Sequence, residues 1–297
     1  MEIRQLRQFL AAVEFGNLGR AAESLGITTP AISKSLANLE AELGARLVDR
    51  GPKGVIPTVF GTSLARHARA MLAEVRHARD DIELLQGAGQ GRIAVGGTAS
   101  AGSTLLVRAI ASLSSDRPGV RIDVTGGRHE ALIDDLRNGV LDVVVTGFGV
   151  GPPDPDLDER VLTDDAYAVV VRGDHSLSRR RNIRLEELMD YPWVVASNIA
   201  EVVPGWVRTF TDQGLTPPNP AIASDSYLFI KSVLGEGDFI AVLPRDVIGV
   251  VEAATTFAIL NIDGIAWTRR VRAATRARGT RPPAVGLFLK KLVALAA

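Results

Sequence analysis

The chain has 297 residues, 46% of them hydrophobic and 23% charged, and its 34 basic residues balance its 34 acidic ones. This length suits two or three compact units, and a net charge of zero gives no overall attraction to a polyanion. Cysteine is absent, which excludes disulfide bonds and thiolate metal sites, and the four scattered histidines form no metal-binding motif, so no metal and no cofactor is expected. The first residues are unlike a signal peptide and no apolar stretch has membrane length, so we expect a cytoplasmic protein with no membrane partner.

Two short helices are predicted at the start of the chain, because apolar residues recur there every three or four positions. These residues are Leu6, Phe9, Leu10 and Val13, followed by Leu18, Ala21, Ala22 and Leu25. Gly16 and Gly26 fit the left-handed positions at the two helix ends, and Asn17 fits the cap of the second helix.

A third helix is predicted to follow the cap residue Thr28 and to end at Gly44. Its apolar stripe, which should face the core, consists of Ile32, Leu36, Leu39 and Leu43. The surface away from this stripe is small, polar and basic, as a helix inside the major groove requires. Its candidate DNA-binding residues are Thr28, Thr29, Pro30, Ser33, Lys34 and Asn38. The second and third helices predict a helix-turn-helix, and the alternative is an ordinary small helical bundle.

The same segment resembles the signature of the LysR family of transcriptional regulators. The runs that carry the resemblance occur in order at residues 9–13, 21–34 and 39–50. The chain has Asn17-Leu18 and Leu47-Val48 where the family usually has Ser-Phe and Leu-Phe, and both exchanges keep a cap or an apolar core position. The resemblance implies that residues 1–60 form a winged helix-turn-helix domain that binds double-stranded DNA, with the third helix in the major groove.

The resemblance also implies a two-stranded wing over residues 47–58, whose tip approaches the DNA backbone or the minor groove. Arg50 and Lys53 are the cations of this segment, and both are candidate DNA-binding residues. For Arg50, a structural ion pair at the base of the wing is an equally open interpretation.

A long helix is predicted from the cap residue Thr62 to Gln86. Its apolar residues are spaced alternately four and three apart, which is the a/d seam of a coiled coil. They are Leu64, Ala68, Met71, Val75, Ala78, Ile82 and Leu85. A seam this narrow favours a homodimer, and packing against the chain's own domains is the alternative. The resemblance implies a dimeric linker helix over residues 61–86, and the choice between a dimer and a tetramer is left open. Paired recognition helices predict an interrupted palindrome as the DNA site.

Residues 87–91 contain three glycines, which predicts a hinge before an effector domain at residues 92–297. In that domain β-rich runs alternate with amphipathic helices, a pattern typical of parallel, doubly wound sheets. Strands are expected at residues 93–96, 120–125, 141–146, 167–171, 193–196, 221–224, 240–243 and 257–260. Helices are expected at residues 105–113, 132–136, 202–210 and 227–234. The chain should return through residues 267–275 and end in a helix at residues 283–294.

This order predicts two lobes, lobe I at residues 92–160 and 265–297 and lobe II at residues 161–264. Residues 139–145 and 235–244 resemble segments of the periplasmic-binding-protein fold, which LysR regulators use to bind effectors. The expected fold class is therefore α+β and multi-domain: a winged helix-turn-helix, a long linker helix, and a two-lobed α/β periplasmic-binding-protein-like (type 2) effector domain.

Ligands of open α/β sheets bind beyond the carboxyl ends of the strands and against helix N-termini. The candidate effector-binding residues at such positions are Thr98, Ala99, Ser100, Thr125, Thr146, Phe148, Ser197 and Asn198. Each of them alone is more often a cap or a turn residue, but their recurrence at matching positions predicts a cleft. Many relatives carry an arginine near Gly147, and its absence here argues against a carboxylate effector. We expect a small, mostly uncharged or hydroxylated molecule whose identity the sequence does not give.

Two arginine clusters, at residues 179–181 and 269–281, are interpreted as solvated charge in a loop and on an edge strand, with auxiliary DNA contact as the alternative.

The chain has no phosphate-binding loop, no nucleophile elbow and no cysteine nucleophile, so no catalytic residue is assigned. The prediction is a dimeric DNA-binding regulator controlled by a small-molecule effector. The alternatives are a cytosolic solute-binding protein and a small-molecule enzyme without a recognised motif.

Overall fold

The first part of the chain is mostly helical and carries one small hairpin. The computed structural model describes residues 1–51, 54–85, 91–99, 102–148, 154–203, 205–249, 255–262, 265 and 267–296. The elements of the first part are α1 (Ile3–Phe15), α2 (Leu18–Ser24), α3 (Thr29–Leu43), β1 (Val48–Gly51), β2 (Gly54–Pro57) and α4 (Val59–Leu85). Strands β1 and β2 pair in an antiparallel hairpin.

Helices α1, α2 and α3 each bury one apolar face in a common core. Phe9, Ile32 and Leu36 are fully buried there. The predicted helix ends are confirmed, because Gly16, Gly26 and Gly44 all adopt left-handed conformations. The side chain of Asn17 accepts a hydrogen bond from the N–H of Arg20, as a cap residue should. Thr28, the predicted cap of α3, stands at the N-cap position, but its hydroxyl makes no capping hydrogen bond.

Burial along α3 stops one turn before the helix ends. Leu39 is fully buried, whereas Leu43 is 43% exposed, so the predicted core position of Leu43 is wrong. Leu43 lies in the last turn of α3. The apolar stripe thus continues in the sequence past the part of the helix that contacts the core.

Helix α4 begins earlier than its predicted cap at Thr62. The hydroxyl of Thr58 accepts the N–H of Gly61 at 3.1 Å, and the carbonyl of Thr58 accepts the N–H of Thr62 at 2.8 Å. Thr58 therefore caps the helix and ties it to the end of the hairpin. At 27 residues α4 is long enough to span a bilayer, but among the described residues no helix is both long and apolar enough to cross one.

The N-terminal half of α4 belongs to the core of the helix-turn-helix. Ala65 and Ala68 are buried in that core, and Met71 packs against it. For this half, the alternative that α4 packs against its own chain is confirmed. Farther along the predicted seam Ala78 is exposed and Ile82 is 55% exposed. Their pairing with a second copy stays a prediction.

The rest of the chain alternates strands and helices. The elements that contain residues 92–148 are β3 (Arg92–Gly97), a short π-helix (Gly102–Leu106), α5 (Val107–Asp116), β4 (Arg121–Gly126), α6 (His129–Arg137) and β5 (Val143–Phe148). They are followed by β6 (Leu157–Arg172), a 3-10 turn (Leu185–Leu188), β7 (Trp193–Val195), α7 (Ile199–Val202), α8 (Trp206–Thr211), β8 (Ile222–Ala223), α9 (Tyr227–Glu236), β9 (Ile240–Pro244), α10 (Arg245–Ile248) and β10 (Phe257–Ile259). The chain ends with β11 (Thr268–Arg276) and α12 (Pro283–Ala296).

Two parallel sheets are joined through two long antiparallel strands. Strands β4, β3 and β5 run parallel in one lobe, and β9, β7 and β8 run parallel in the other. Strand β11 pairs with β5 on one side and with β6 on the other, and β6 continues into the second lobe, where it pairs with β9 and β10. The strand expected at residues 167–171 is therefore wrong in its start, because the chain passes between the lobes inside one 16-residue strand.

The second lobe is packed around aromatic side chains. The rings of Trp193, Trp206 and Phe210 meet edge to face, with centroids 4.9 to 6.0 Å apart. The single helix predicted at residues 202–210 is instead two short helices. Helix α7 ends before Val203, whose backbone is extended, and α8 begins after Gly205, whose φ is +78°. Neither backbone conformation continues a helix.

A substitution at the start of α4 tests this junction. A Cβ at Gly61 would lie 1.9 Å from the backbone oxygen of Leu47, whereas a Cβ at Gly286 in α12 would meet nothing within 4 Å. Glycine-to-alanine changes in a helix normally stabilise by about 0.5–1 kcal/mol. We expect Gly286→Ala to raise the melting temperature and Gly61→Ala to lower it. Equal shifts in the same direction in thermal unfolding would contradict the close contact at Gly61.

Candidate functional site

The first candidate surface is the exposed face of α3. Thr28, Thr29, Pro30, Lys34 and Asn38 are exposed, and Ser33 is half-buried. They lie away from the buried stripe of the same helix, so all six predicted residues of this segment share one solvent-facing surface. The small hydroxyls and the single cation leave this surface free of bulk. A helix with such a face can enter a major groove about 12 Å wide.

The hairpin contributes Arg50 to the same surface. Arg50 is exposed, and its Nη1 donates a hydrogen bond to the Ser33 hydroxyl at 2.8 Å. Within the part of the chain that the structure describes, Arg50 forms no ion pair, so the alternative of a structural ion pair finds no support there. Lys53, the other predicted cation of the hairpin, lies outside the described residues.

Hydrogen bonds hold the hairpin against the helices. The carboxylate of Glu40 in α3 accepts the N–H groups of Leu47 and Val48 at 2.8 and 3.2 Å. The N–H of Val55 donates to the carbonyl of Gly16 at 2.8 Å. These bonds fix the hairpin relative to α3, so Arg50 and the exposed face of α3 form one rigid surface.

The second candidate surface is a cavity of about 120 Å³ between the two lobes. From the first lobe it is lined by Thr98, Ala99, Gly127, Arg128, His129, Glu130 and Gly147, and from the second by Ala196, Asn198, Asp225 and Tyr227. Tyr167 and Arg269, from the two joining strands, complete the lining. The cavity therefore touches both lobes and the strands between them.

Arg269 is buried at this cavity and paired with Asp165. The two residues are direct cross-strand partners on β11 and β6, and both side chains are under 5% exposed. Nε and Nη2 of Arg269 donate to one oxygen of Asp165 at 3.0 and 2.5 Å. A Cβ at residue 147 would lie 2.8 Å from the Arg269 guanidinium carbon, so Gly147 provides the space that the guanidinium needs.

Two of the residues that line the cavity carry buried hydroxyls, Thr98 and Tyr167. Among the described residues, Thr98 Oγ1 and the Tyr167 hydroxyl have no hydrogen-bond partner. Burial raises the pKa of Tyr167 to about 12, so this hydroxyl stays protonated at neutral pH. A buried polar group without a partner costs free energy, which a bound molecule with matching donors and acceptors would recover.

Both arginines at the cavity have a carboxylate partner. Arg128 of the first lobe lies 3.5 Å from Asp225 of the second, and Arg269 is paired with Asp165. Burial lowers the pKa of His129, whose Nδ1 lies 3.0 Å from the Thr146 hydroxyl, so the imidazole is neutral at neutral pH. Glu130 adds a further carboxylate to the lining, so the described lining has no excess of positive charge.

The predicted effector-binding residues fall into three groups. Thr98, Ala99 and Asn198 line the cavity, and Thr146 contacts the lining residue His129. Thr125 and Ser197 are exposed and are not part of the lining. Ser100 lies outside the described residues, and of Phe148 only the backbone, the last residue of β5, is described.

The sequence argument missed the residues that the joining strands and α6 contribute. Arg128 and His129 follow the end of β4, so the rule about strand ends, continued past Thr125, would have found them. Tyr167 and Arg269 lie within antiparallel strands, and no strand-end rule points to such positions.

The interpretation of residues 269–281 as charge on an edge strand is wrong for β11. This strand is internal, between β5 and β6, and Arg269 is only 4% exposed. Arginines 179, 180 and 181 are exposed, as expected for a solvated loop. Across the described ranges, no group of three or more potential ligand residues could hold a metal ion.

Comparisons with known proteins assign both halves of the chain to one family. Residues 3–62 match the bacterial regulatory helix-turn-helix proteins of the lysR family, and residues 86–297 match the LysR substrate binding domain. A relative, the SDS degradation transcriptional activation protein of a Pseudomonas species, is 32% identical over 88% of this chain and 85% of its own. The resemblance found in the sequence is thus confirmed.

Solved structures share the fold at lower identity. A full-length OxyR variant from Pseudomonas aeruginosa has a TM-score of 0.72 and 23% identity, covering 98% of this chain and 94% of that one. Full-length CbnR in complex with its target DNA has a TM-score of 0.58 and 20% identity, covering all of both chains. The predicted fold class is confirmed.

The buried pair at the cavity gives a stability prediction. Arg269→Met leaves the Asp165 carboxylate buried without its partner, which should cost about 3–5 kcal/mol in the free energy of unfolding. Arg270→Met removes an exposed arginine from the same strand and should cost less than about 1 kcal/mol. Denaturant unfolding compares the free energies of unfolding of the two variants. The double variant Arg269→Met/Asp165→Leu, which removes both charges, should regain most of the stability that Arg269→Met loses. A loss in Arg269→Met no larger than in Arg270→Met would show that the pair is not structurally important.

Proposed function

Because the chain belongs to the LysR family of DNA-binding transcriptional regulators, we propose that α3 and the β1–β2 hairpin bind its operator and that the cavity between the lobes binds a controlling effector. The effector is a small molecule, and it changes how the regulator sits on DNA. A ligand shifts a conformational equilibrium only through different affinities for the two states, so closure of the lobes must strengthen its contacts.

The proposed division of the chain follows its cores. Residues 1–60 are the winged helix-turn-helix domain, residues 61–86 the linker helix, residues 87–91 the hinge, and residues 92–297 the effector domain. The separate apolar clusters of the two lobes support a division into lobe I at residues 92–160 and 265–297 and lobe II at residues 161–264, except that Ile265 and Trp267 pack in the cluster of the second lobe.

The observation that carries the DNA-binding proposal is the shared surface of α3 and Arg50. On this surface Ser33 and Asn38 are suited to base edges, and Lys34 and Arg50 to phosphates or guanine. The Arg50–Ser33 hydrogen bond holds the wing cation beside the recognition helix. DNA contacts of Thr28, Thr29, Pro30 and Lys53 belong to the same proposal.

We further propose that two copies of the chain bind an interrupted palindrome. The exposed positions Ala78 and Ile82 of the predicted seam are available to a second linker helix. Paired recognition helices then contact two half-sites, and a tetramer would contact four. We propose that the regulator works in the cytoplasm, where double-stranded DNA is its partner.

The cavity supports a small, neutral and hydroxylated effector. A cavity of about 150 Å³ accommodates benzene, so the 120 Å³ here suits a molecule of about six non-hydrogen atoms. Among the described residues, Thr98 Oγ1 and the Tyr167 hydroxyl form no hydrogen bond. The two arginines at the cavity, Arg128 and Arg269, are each paired with an aspartate. A carboxylate ligand would find no uncompensated cation among these lining pairs.

The two other functions weighed from the sequence have less support. The family assignment of both halves of the chain favours a regulator over an enzyme, and we propose no catalytic residue and no cofactor. A free-standing solute-binding protein would leave the exposed face of α3 without a role.

Two substitutions on α3 test the DNA-binding proposal. Ser33→Ala and Lys34→Ala should each weaken binding to DNA fragments selected from random sequence by the parent protein. Lys34→Ala should also reduce the slope of log affinity against log salt by about one unit if Lys34 meets a phosphate. Lys290→Ala, which removes an exposed cation from α12, is the matched control and should change neither quantity. Parent-like footprints for both α3 variants would remove the recognition-helix assignment.

The effector proposal is tested with the full-length chain. Small neutral hydroxylated metabolites and carboxylates of equal size are compared by the melting shift that each produces. We expect the largest shifts from neutral compounds and expect Thr98→Val to abolish most of that shift, because valine keeps the shape but lacks the hydroxyl. Thr216→Val, at an exposed threonine in the second lobe, should respond like the parent. A carboxylate that stabilises most strongly, or a full response in Thr98→Val, would refute the assigned chemistry.

A further inference from the structure

The second half of α4 lies against the first lobe of the same chain. Ala73 is 2% exposed and packs on Gly139, where an added Cβ would lie 2.6 Å from the Ala73 methyl carbon. Gly139 also has a φ of +71°, which L side chains rarely adopt. The turn between α6 and β5 therefore allows α4 to pack closely against it, because residue 139 has no side chain.

A buried hydrogen-bonded pair lies at the centre of this contact. The Nε2 of His77 and one oxygen of Asp142 are 2.9 Å apart, and both side chains are under 5% exposed. Nη2 of Arg76 donates to the same oxygen at 3.1 Å, and the N–H of Ala94 donates to the other oxygen at 2.8 Å. Burial raises the pKa of Asp142, but the hydrogen bonds from His77 and Ala94 and the charge of Arg76 more than offset this, so the pKa is lowered and Asp142 is a carboxylate.

Further polar contacts surround the pair. Arg76 donates to the carbonyl of Gly139 at 3.2 Å, and the carboxylate of Glu74 accepts the N–H of Thr280 at 3.2 Å. On the lobe side, Arg276 donates to the carbonyls of Leu136 and Leu141 at 3.1 and 3.0 Å, which fixes the turn. A helix held only by chance proximity would not place a histidine and a carboxylate together out of water.

Helix α4 therefore connects the two functional surfaces rigidly. Its residues Ala65 and Ala68 are part of the helix-turn-helix core, and its residues Ala73 and His77 are buried on the first lobe. Ala68 and Ala73 are little more than one helical turn apart. The docked helix thus sets the orientation of the DNA-binding domain relative to the lobe.

The two strands behind this contact also reach the cavity. Strand β5 follows Asp142 and carries Gly147 at the cavity, and the neighbouring β11 carries Arg269 at the cavity and Arg276 near the α4 contact. A change at the cavity that shifts these strands therefore also acts on the turn that holds α4.

We propose that the His77–Asp142 pair is a latch that locks the linker helix onto the first lobe, and that the state of the cavity controls this latch. When the latch is closed, the helix-turn-helix has one orientation. When it opens, α4 is no longer held on the first lobe, and the helix-turn-helix can take other orientations. The latch stands on the contacts of α4, and its control by the cavity rests on the proposed effector function.

The absence of cysteine allows a direct distance measurement on the whole chain. Spin labels are placed at Glu23→Cys on α2 and Ser115→Cys on α5, both exposed, and doubly labelled chains are diluted with unlabelled ones so that only distances within a chain are read. We expect one narrow distance peak for the parent. His77→Ala, which removes the partner of Asp142, and Ala73→Leu, which wedges the helix off Gly139, should each broaden it or add a second peak.

Matched changes at exposed positions outside the contact serve as controls. His67→Ala on α4 and Ala41→Leu on α3 make the same chemical exchanges and should keep the narrow peak. Helix content by circular dichroism identifies any variant that has unfolded. Because the two latch variants act by different means, an unchanged narrow peak in either folded variant overturns the latch.

A separate set of variants tests whether the cavity controls the latch. Gly147→Ala and Arg269→Lys disturb the cavity without touching α4, and each should change the distance distribution, whereas Gly235→Ala, in open space on α9, should not. If these variants leave the parent peak while the α4 variants broaden it, the latch stands and its coupling to the cavity is wrong. Neither result depends on whether a hydroxylated effector is found.

Discussion

Strand β11 lies between β5 and β6, and the two-lobed half of the protein depends on this antiparallel arrangement. The strand orders on either side are parallel and each stays within one lobe, so β6 and β11 alone join the lobes in the described sheet. An internal strand cannot leave a buried cation unpaired. Arg269 therefore requires Asp165 directly opposite, and it requires that residue 147 has no side chain. These requirements determine the part of the cavity lining that Arg269 and Gly147 form.

The same constraint underlies our proposal that this cavity does not select a carboxylate. A guanidinium in a ligand site normally invites an anion, because its planar donors match carboxylate geometry. Here Asp165 already occupies two of those donors, and displacing it would leave a second buried charge without a partner. The hydroxyls of Thr98 and Tyr167 are the groups whose hydrogen bonds remain to be made. The sequence favours a neutral effector because residue 147 is not an arginine. In the structure a different arginine, Arg269, fills the space beside Gly147.

The sequence was sufficient where local signals determine the structure. Left-handed glycines such as Gly16 and Gly44 and the cap Asn17 specify helix ends through their own backbone and side chains, and these predictions were confirmed. It was insufficient where burial depends on distant partners. The buried state of Arg269 follows from a strand pairing that no local pattern reveals, and the heptad spacing of α4 could not distinguish a second copy from the chain's own core. Thr98 was found because it follows a strand end, whereas Tyr167 lies within a strand and carries no such signal.

The packing of α4 also constrains how two copies can associate. Coiled-coil pairing needs a continuous seam, and Ala68 of that seam is already buried in the helix-turn-helix core. Ala78 and Ile82 are exposed positions of the seam, and Met71 and Val75 are half-buried. In the proposed dimer these positions face the second copy, and two DNA half-sites that hold both copies would add to its stability. Dimerisation and DNA binding are then thermodynamically linked: whatever moves α4 relative to the first lobe changes both the seam presented to the partner and the spacing between the recognition helices.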